Sequence, residues 1–224
     1  MAAEHPALPP LSGRRNLREE ITETLRAAVI SGELEPGVVY SAPSLATRFG
    51  VSATPVREAM LDLAKEGLID TVRNKGFRIT EPSEKDLDDL STLRALIEVP
   101  TVRAIAEAGV DPAVIEALRP LAAGIEEAAA SGDLIAHVAT DMEFHLRLLS
   151  LAGNPHLVEI VRSLRARSRI YGLRALAASG QLVASAHEHA ELLDLIAARD
   201  AAGAEQLMER HIRHVRGIWA GTRS

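Results

Sequence analysis

Four side chains in the second half of the chain have the types and spacing of a metal site built from nitrogen and oxygen donors: Asp141, His145, His189 and His211. Asp141 and His145 stand four residues apart, so on a helix they project from one face and can hold one ion together. His189 shares a helical face with Leu192, Leu193 and Ile196, and His211 with Leu207, Met208, Val215 and Ile218, so both imidazoles point toward a core. Helical bundles make metal sites by converging such groups from separate helices and leaving the remaining positions to water or a ligand. Zinc, nickel and manganese all suit these donors, with zinc favoured by the number of imidazoles. The competing reading is that a His on an apolar face is ordinarily a satisfied core residue, and sequence does not show that three helices converge. His187 faces away from His189, and His137, His156 and His214 read as solvated or as neighbours of the ligands.

A second chemistry lies in the first half. A helix that enters the major groove N-terminus first reads bases with its opening residues, while hydroxyls and backbone amides hold phosphates. Ser52, Thr54 and Arg57 are placed for this, with Arg57 one turn into the helix, able to reach a guanine edge or a phosphate. Asn74, Lys75 and Gly76 form a turn that would lie against the adjacent groove or backbone. The plainer alternative makes Ser52 a helix cap and pairs Arg57 with Glu58 or Asp62.

The elements that must carry these residues follow from punctuation and periodicity. Leu17, Ile21, Leu25, Ala28 and Val29 mark a first helix, ended by Gly32 and the Leu34-Glu35-Pro36-Gly37 turn. A short second helix runs from about Pro43 to Phe49, with Ser41 as cap and Gly50 as stop, and a third runs from a Ser52 cap to Glu66. Leu68–Val72 and Phe77–Thr80 read as two strands around Arg73-Asn74-Lys75-Gly76. Three helices and a two-stranded wing make a winged helix-turn-helix over residues 16–81, after a start over 1–15 expected to be disordered. Pro82 and the capping-box sequence Ser83-Glu84-Lys85-Asp86 open a second domain over 82–221. There the pattern predicts an antiparallel bundle of about six helices: 85–108 kinked at Pro100, 112–130 interrupted at Pro120, 133–152, 156–178, 183–199 and 201–219. The fold class is mostly α.

Composition fits. The 224 residues suffice for two domains, and the absence of cysteine excludes disulfides and thiolate chemistry. The net charge of −6 is unevenly divided. Residues 1–80 hold ten Lys and Arg against ten Asp and Glu, and the remainder fifteen against twenty-one, so a basic face on the first domain is compatible with the total. No apolar run is long enough for a membrane span, and no leader pattern opens the chain, which predicts a cytoplasmic protein.

Leu34-Glu35-Pro36-Gly37, Ser44-Leu45-Ala46, Phe49-Gly50-Val51-Ser52, Thr54-Pro55-Val56-Arg57-Glu58-Ala59, Leu63-Ala64-Lys65-Glu66-Gly67-Leu68-Ile69 and Asn74-Lys75-Gly76 together resemble the GntR family of bacterial regulators. The resemblance implies a dimer on inverted-repeat operators of double-stranded DNA, with Ser44, Ser52, Thr54, Pro55, Arg57, Asn74, Lys75 and Gly76 at the interface. Ala42-Pro43 and Ala53 stand where the family usually has Glu-Arg and Arg, which implies an atypical operator, a weaker one, or more reliance on shape. Asp141-Met142-Glu143-Phe144-His145, Gly153-Asn154-Pro155, Glu188-His189 and Met208-Glu209-Arg210-His211-Ile212 resemble the FCD domain of the FadR subfamily. That implies a divalent metal on Asp141, His145, His189 and His211, often completed by an effector carboxylate. Arg94 matches an arginine of that domain's first helix and could fork onto the carboxylate; its plain alternative is an ion pair with Glu98. Arg165, Arg167 and Arg169 offer further basic groups among which sequence does not choose.

The resulting expectation is a ligand-controlled regulator, a repressor rather than an enzyme. Two alternatives stand beside it: the same architecture with a structural or absent metal and an apolar effector, and a metal-dependent enzyme whose ion activates water, which would leave the winged helix unexplained.

Overall fold

The computed structural model describes residues 14–81, 83–168 and 181–220. The start expected to be disordered lies outside these except for Arg14 and Arg15, which are helical; so does the 169–178 end of the helix expected at 156–178.

The head begins with α1 (Arg14–Ile30), followed by β1 (Val39–Tyr40), α2 (Ala42–Phe49), α3 (Ala53–Lys65), β2 (Ile69–Val72) and β3 (Gly76–Ile79). Ser41 caps α2 by accepting from the Ser44 amide at 3.2 Å, and Gly50, at φ +66°, ends it in the left-handed conformation. The sheet has three antiparallel strands in the order β1-β3-β2, so the expected two-stranded wing gains a strand. A two-residue strand shows no alternation in sequence, and β1 exists only because β3 offers it an edge, pairing Tyr40 with Phe77. That pairing also explains Gly76: at φ +132°, a Cβ would lie 2.3 Å from the Tyr40 carbonyl oxygen. Ile21, Leu25, Val56, Met60, Leu63, Phe77 and Ile79 form the core of the head. Ion pairs tie α1 to α3 and its C-cap: the Arg18 Nε donates to Asp62 at 2.9 Å, Arg18 also lies 3.9 Å from Glu58, and the Arg26 Nη2 donates to Glu66 at 2.7 Å.

Six helices make up the rest among the described residues: α4 (Glu84–Ala108), α5 (Pro112–Ser131), α6 (Leu134–Ser150), α7 (Pro155–Ser168), α8 (Gln181–Ala197) and α9 (Ala201–Ala220). The Ser83–Asp86 capping box is formed, and Asp111 and Asp133 cap α5 and α6 through their side chains. Pro120 does not interrupt α5, and α4 likewise continues through Pro100. Both prolines are exposed, so the carbonyls they leave unpaired lie on the wet side while Val99, Val102, Leu118 and Ala122 hold the buried side in place. No described helix is long and apolar enough to cross a membrane.

The two parts meet where α1 lies against α6. Ala27 and Ile30 face Val138, Met142 and Leu146 across a cavity of about 520 Å³.

Candidate functional site

Asp141 and His145 project from α6 into the bundle, and α8 and α9 bring His189 and His211 to meet them. All four are buried, and one donor atom from each lies within 4.8 Å of the others. The Nε2 atoms of His145 and His189 stand 3.1 Å apart, His189 Nε2 is 3.2 Å from Asp141 Oδ1, and His145 Nε2 is 3.8 Å from the same oxygen. Donors bound at about 2.0–2.2 Å around one ion stand roughly 3.0–3.5 Å apart, so the two shorter separations are those of a shared coordination sphere. Phe144 closes one side, meeting the His145 and His189 rings edge to face at 5.2 and 4.9 Å.

The outer hydrogen bonds orient these rings as ligands. His189 Nδ1 lies 2.9 Å from the Ala186 carbonyl, which can only accept, so Nδ1 carries the proton and Nε2 turns its lone pair inward. His211 Nδ1 lies 2.8 Å from Glu188 Oε2, and its Nε2 is buried with no hydrogen-bond partner among the described residues. A carboxylate behind an imidazole whose other nitrogen is buried and unsatisfied is the arrangement of a metal-bound histidine. Burial, reinforced by the charge of Arg165, holds the His145 pKa well below the ordinary imidazole value. Burial likewise pushes His211 down to about 4 against the opposing bond from Glu188. Both rings are therefore unprotonated donors at neutral pH, and the donor set fits a divalent ion.

Behind the donors runs a buried ionic chain. Asp141 Oδ2 accepts from Arg165 at 2.8 Å, Arg165 donates to Glu98 at 2.6 Å, and Glu98 accepts from Arg94 Nε at 2.7 Å. Burial alone would raise the Glu98 pKa, but Arg94 and Arg165 hold it below its ordinary value. Burial dominates at Arg94 and lowers its pKa, whereas at Arg165 Glu98 and Asp141 outweigh burial and raise it. Arg94 thus forms the ion pair that was its plain alternative, donates from Nη1 to Ser168 Oγ at 3.3 Å, and keeps a buried Nη2 without a hydrogen-bond partner among the described residues.

Of the three arginines left open by the sequence, Arg165 is the one at the site, Arg167 is exposed, and Arg169 lies outside the described residues. Arg165 belongs to the buried stripe Val161, Leu164, Arg165, Ser168, and a cation inside an apolar stripe is the signal that would have found it. Glu188 could have been found as the acid beside His189, one turn from Leu192 on a buried face. His137, read as solvated or as a neighbour of the ligands, is not solvated: it is buried, with Nδ1 3.3 Å from the Ile125 carbonyl, because its face of α6 packs on α5. His187 and His156 are exposed.

On the head, Ser44, Ser52, Thr54, Arg57, Asn74 and Lys75 are exposed, and Pro55 and Gly76 are half-buried. Ser52 has the backbone of an N-cap, but its side chain makes no capping bond. Asp62 is engaged by Arg18 and Lys65, and Arg57 has no carboxylate partner among the described residues. Asn74 takes φ +60°, the left-handed conformation, within the turn between β2 and β3. These groups lie on α2, on the opening turn of α3 and on one hairpin, a stereochemistry suited to a groove and its flanking phosphates.

Residues 17–79 match the model of the bacterial regulatory proteins of the gntR family, and residues 89–214 match the FCD domain. The chain is 31% identical to an HTH-type transcriptional regulator from an unstable DNA locus of Streptomyces ambofaciens, over 91% of its own length and 85% of that protein. It is 29% identical to the HTH-type transcriptional repressor GlaR of Escherichia coli, over 84% and 89%. In fold it is similar to E. coli McbR/YncC, with a TM-score of 0.78 at 24% identity over 91% of this chain and 97% of that one. A GntR regulator from Rhodococcus sp. RHA1 superposes with a TM-score of 0.71 at 22% identity, covering 93% and 100%. With a helix-turn-helix head joined to an FCD domain and regulators as its relatives, the chain belongs to the GntR family and is a DNA-binding transcriptional regulator rather than an enzyme.

Proposed function

We propose that this regulator acts as a homodimeric repressor on an inverted-repeat operator, and that a small carboxylate bound beside a divalent metal, zinc by preference, controls its affinity for DNA. Asp141, His145, His189 and His211 hold the ion, while Ser44, Ser52, Thr54, Pro55, Arg57, Asn74, Lys75 and Gly76 meet the duplex. The observation that carries the reading is the buried His211 Nε2, aimed among three other donors and satisfied by none.

Charge supports an anionic effector. Arg94 and Arg165 are balanced by Glu98 and Asp141, so a divalent ion on neutral imidazoles leaves buried positive charge that Glu188 only partly offsets. A buried excess of charge is costly, and a carboxylate that shares the ion and the unfilled Nη2 of Arg94 relieves it. The ion supplies Lewis-acid attraction for that carboxylate, and Arg94 supplies orientation.

A second reading has its own observation. The cavity between α1 and α6 has an apolar floor of Ala27, Ile30, Val138, Met142, Leu146 and Val158, where an apolar effector would press directly on the head, with the metal purely structural. Elemental analysis of the purified protein, followed by duplex binding of wild type and Asp141→Ala with and without candidate carboxylates, separates the two. The metal-sensing reading expects about one zinc per chain and a carboxylate response lost in Asp141→Ala. A variant that sheds the metal yet keeps fold and response would establish the second reading, and failure to bind any selected duplex would end both.

A further inference from the structure

The last turn of α7 touches both functional regions at once. Arg165 lies inside, bridging Asp141 and Glu98, and Ser168 accepts from Arg94 while its own hydroxyl donates to the Arg165 carbonyl at 3.2 Å. Two residues from Arg165, Arg167 points the other way and lies over Gly67, where a Cβ would stand 3.4 Å from its Nε. Gly67 is no incidental neighbour. Its amide closes the C-terminal end of α3 on the Ala64 carbonyl at 3.1 Å, and its carbonyl accepts from the Thr80 hydroxyl at 3.1 Å. The turn therefore holds together the end of the helix that would read DNA and the end of the wing, just before the chain enters α4. Arg167 also places its charge near Asp86 in the first turn of α4.

We propose that this last turn, Arg165 to Ser168, is the element that couples the metal site to the DNA-reading helix, with Arg165 positioning Asp141 and Arg167 holding the Gly67 turn. The inference rests on the metal reading above. Asp141 presents Oδ1 to the imidazoles and Oδ2 to Arg165, so a divalent ion held by Asp141 and the imidazoles would share that carboxylate with Arg165. Arg165 is fully buried and tied at its other end to Glu98. It cannot absorb a change at Asp141 by swinging into solvent. The change passes to the helix that bears it, and one of the places where that helix meets the head is beneath Gly67. A coupling of this kind requires the two metal states to interact differently with the linking element, and the shared carboxylate meets that requirement.

Hydrogen exchange on the full chain, zinc-loaded and EDTA-treated, tests this without knowledge of the operator. In wild type, zinc slows exchange severalfold at the amides of Glu66 to Leu68. Arg167→Ala, an exposed substitution that spares the fold, binds zinc with unchanged affinity and loses that protection. Arg162→Ala, on the same helix and paired with Glu159, retains it. Protection that persists in Arg167→Ala overturns the proposal and assigns the coupling to the packing of α6 on α1. So does zinc binding that leaves Glu66 to Leu68 unchanged in wild type. A wild-type protein that binds no zinc defeats the metal reading itself, a separate outcome visible in the titration alone.

Discussion

His211 shows how much a candidate ligand owes to its neighbour. Its Nε2 is available because Glu188 fixes Nδ1, so Glu188→Gln keeps the shape but weakens that hold. Zinc affinity should drop about 10–100-fold, as loss of such a supporting carboxylate commonly does, measured by competition with a chromophoric chelator. Burial gives the same ring a pH signature. Its pKa falls from 6.5 to about 4 in the folded protein, so the unfolded chain binds the proton more readily between those values. In EDTA, the denaturant midpoint should therefore be highest above pH 6.5 and decline as the pH falls toward about 4; a midpoint flat across that window would show that the ring is not buried as a neutral donor. On the head, Arg57→Ala should leave unfolding unchanged, because the side chain is exposed and no described carboxylate depends on it. Binding to a selected duplex should weaken by about 1–3 kcal/mol, with base preference relaxed at one position of each half-site. The types and spacing of the four candidate donors were legible in sequence, since one i to i+4 spacing and two apolar faces suffice to single them out. Arg165 was not, because arginines at alternate positions look alike in sequence until the packing of α4 and α6 decides which one is enclosed.

Elements depend on local rules, and where they do the sequence speaks clearly. The caps at Ser41, Ser83, Asp111 and Asp133 and the left-handed stop at Gly50 all involve partners within a few residues. β1 and the unbroken α5 depend on distant partners. A two-residue strand needs the edge of β3, and a proline is tolerated in mid-helix when its exposed side faces water and its buried side is gripped by the core. Gly76 belongs to this scale as well. Its conformation suits a turn, but the stronger constraint is the Tyr40 carbonyl, which occupies the place a Cβ would take. Gly76→Ala should cost at least about 1–3 kcal/mol for the strained backbone, with the clash against β1 added. Chemical denaturation would read this, and duplex affinity should fall with the loss of the wing.

For the whole molecule, the net charge of −6 conceals a division of labour. The head holds its Arg18, Arg26 and Lys65 in ion pairs and leaves Arg57, Arg73, Lys75 and Arg78 exposed, while the surplus acid belongs to the remainder of the chain. Duplex binding should accordingly weaken linearly in log affinity against log salt, as phosphate contacts release counterions, despite the acidic total. Fluorescence anisotropy over a salt series would measure this, and sedimentation of the complex should give two chains per duplex. Salt-independent binding would count against the proposed interface.

By itself the sequence determined what nearby residues can decide: the helical periods, the caps, the turn chemistry, the two-part architecture and the family motifs. Tertiary structure decided what depends on partners far along the chain. It set the third strand, brought three helices together around four donors, chose Arg165 over its neighbours, and paired Arg94 with Glu98 inside the bundle. The physical reason is range. Backbone preferences and i to i+4 spacings act over a turn or two, whereas enclosure of a charge is a property of the helices that surround it.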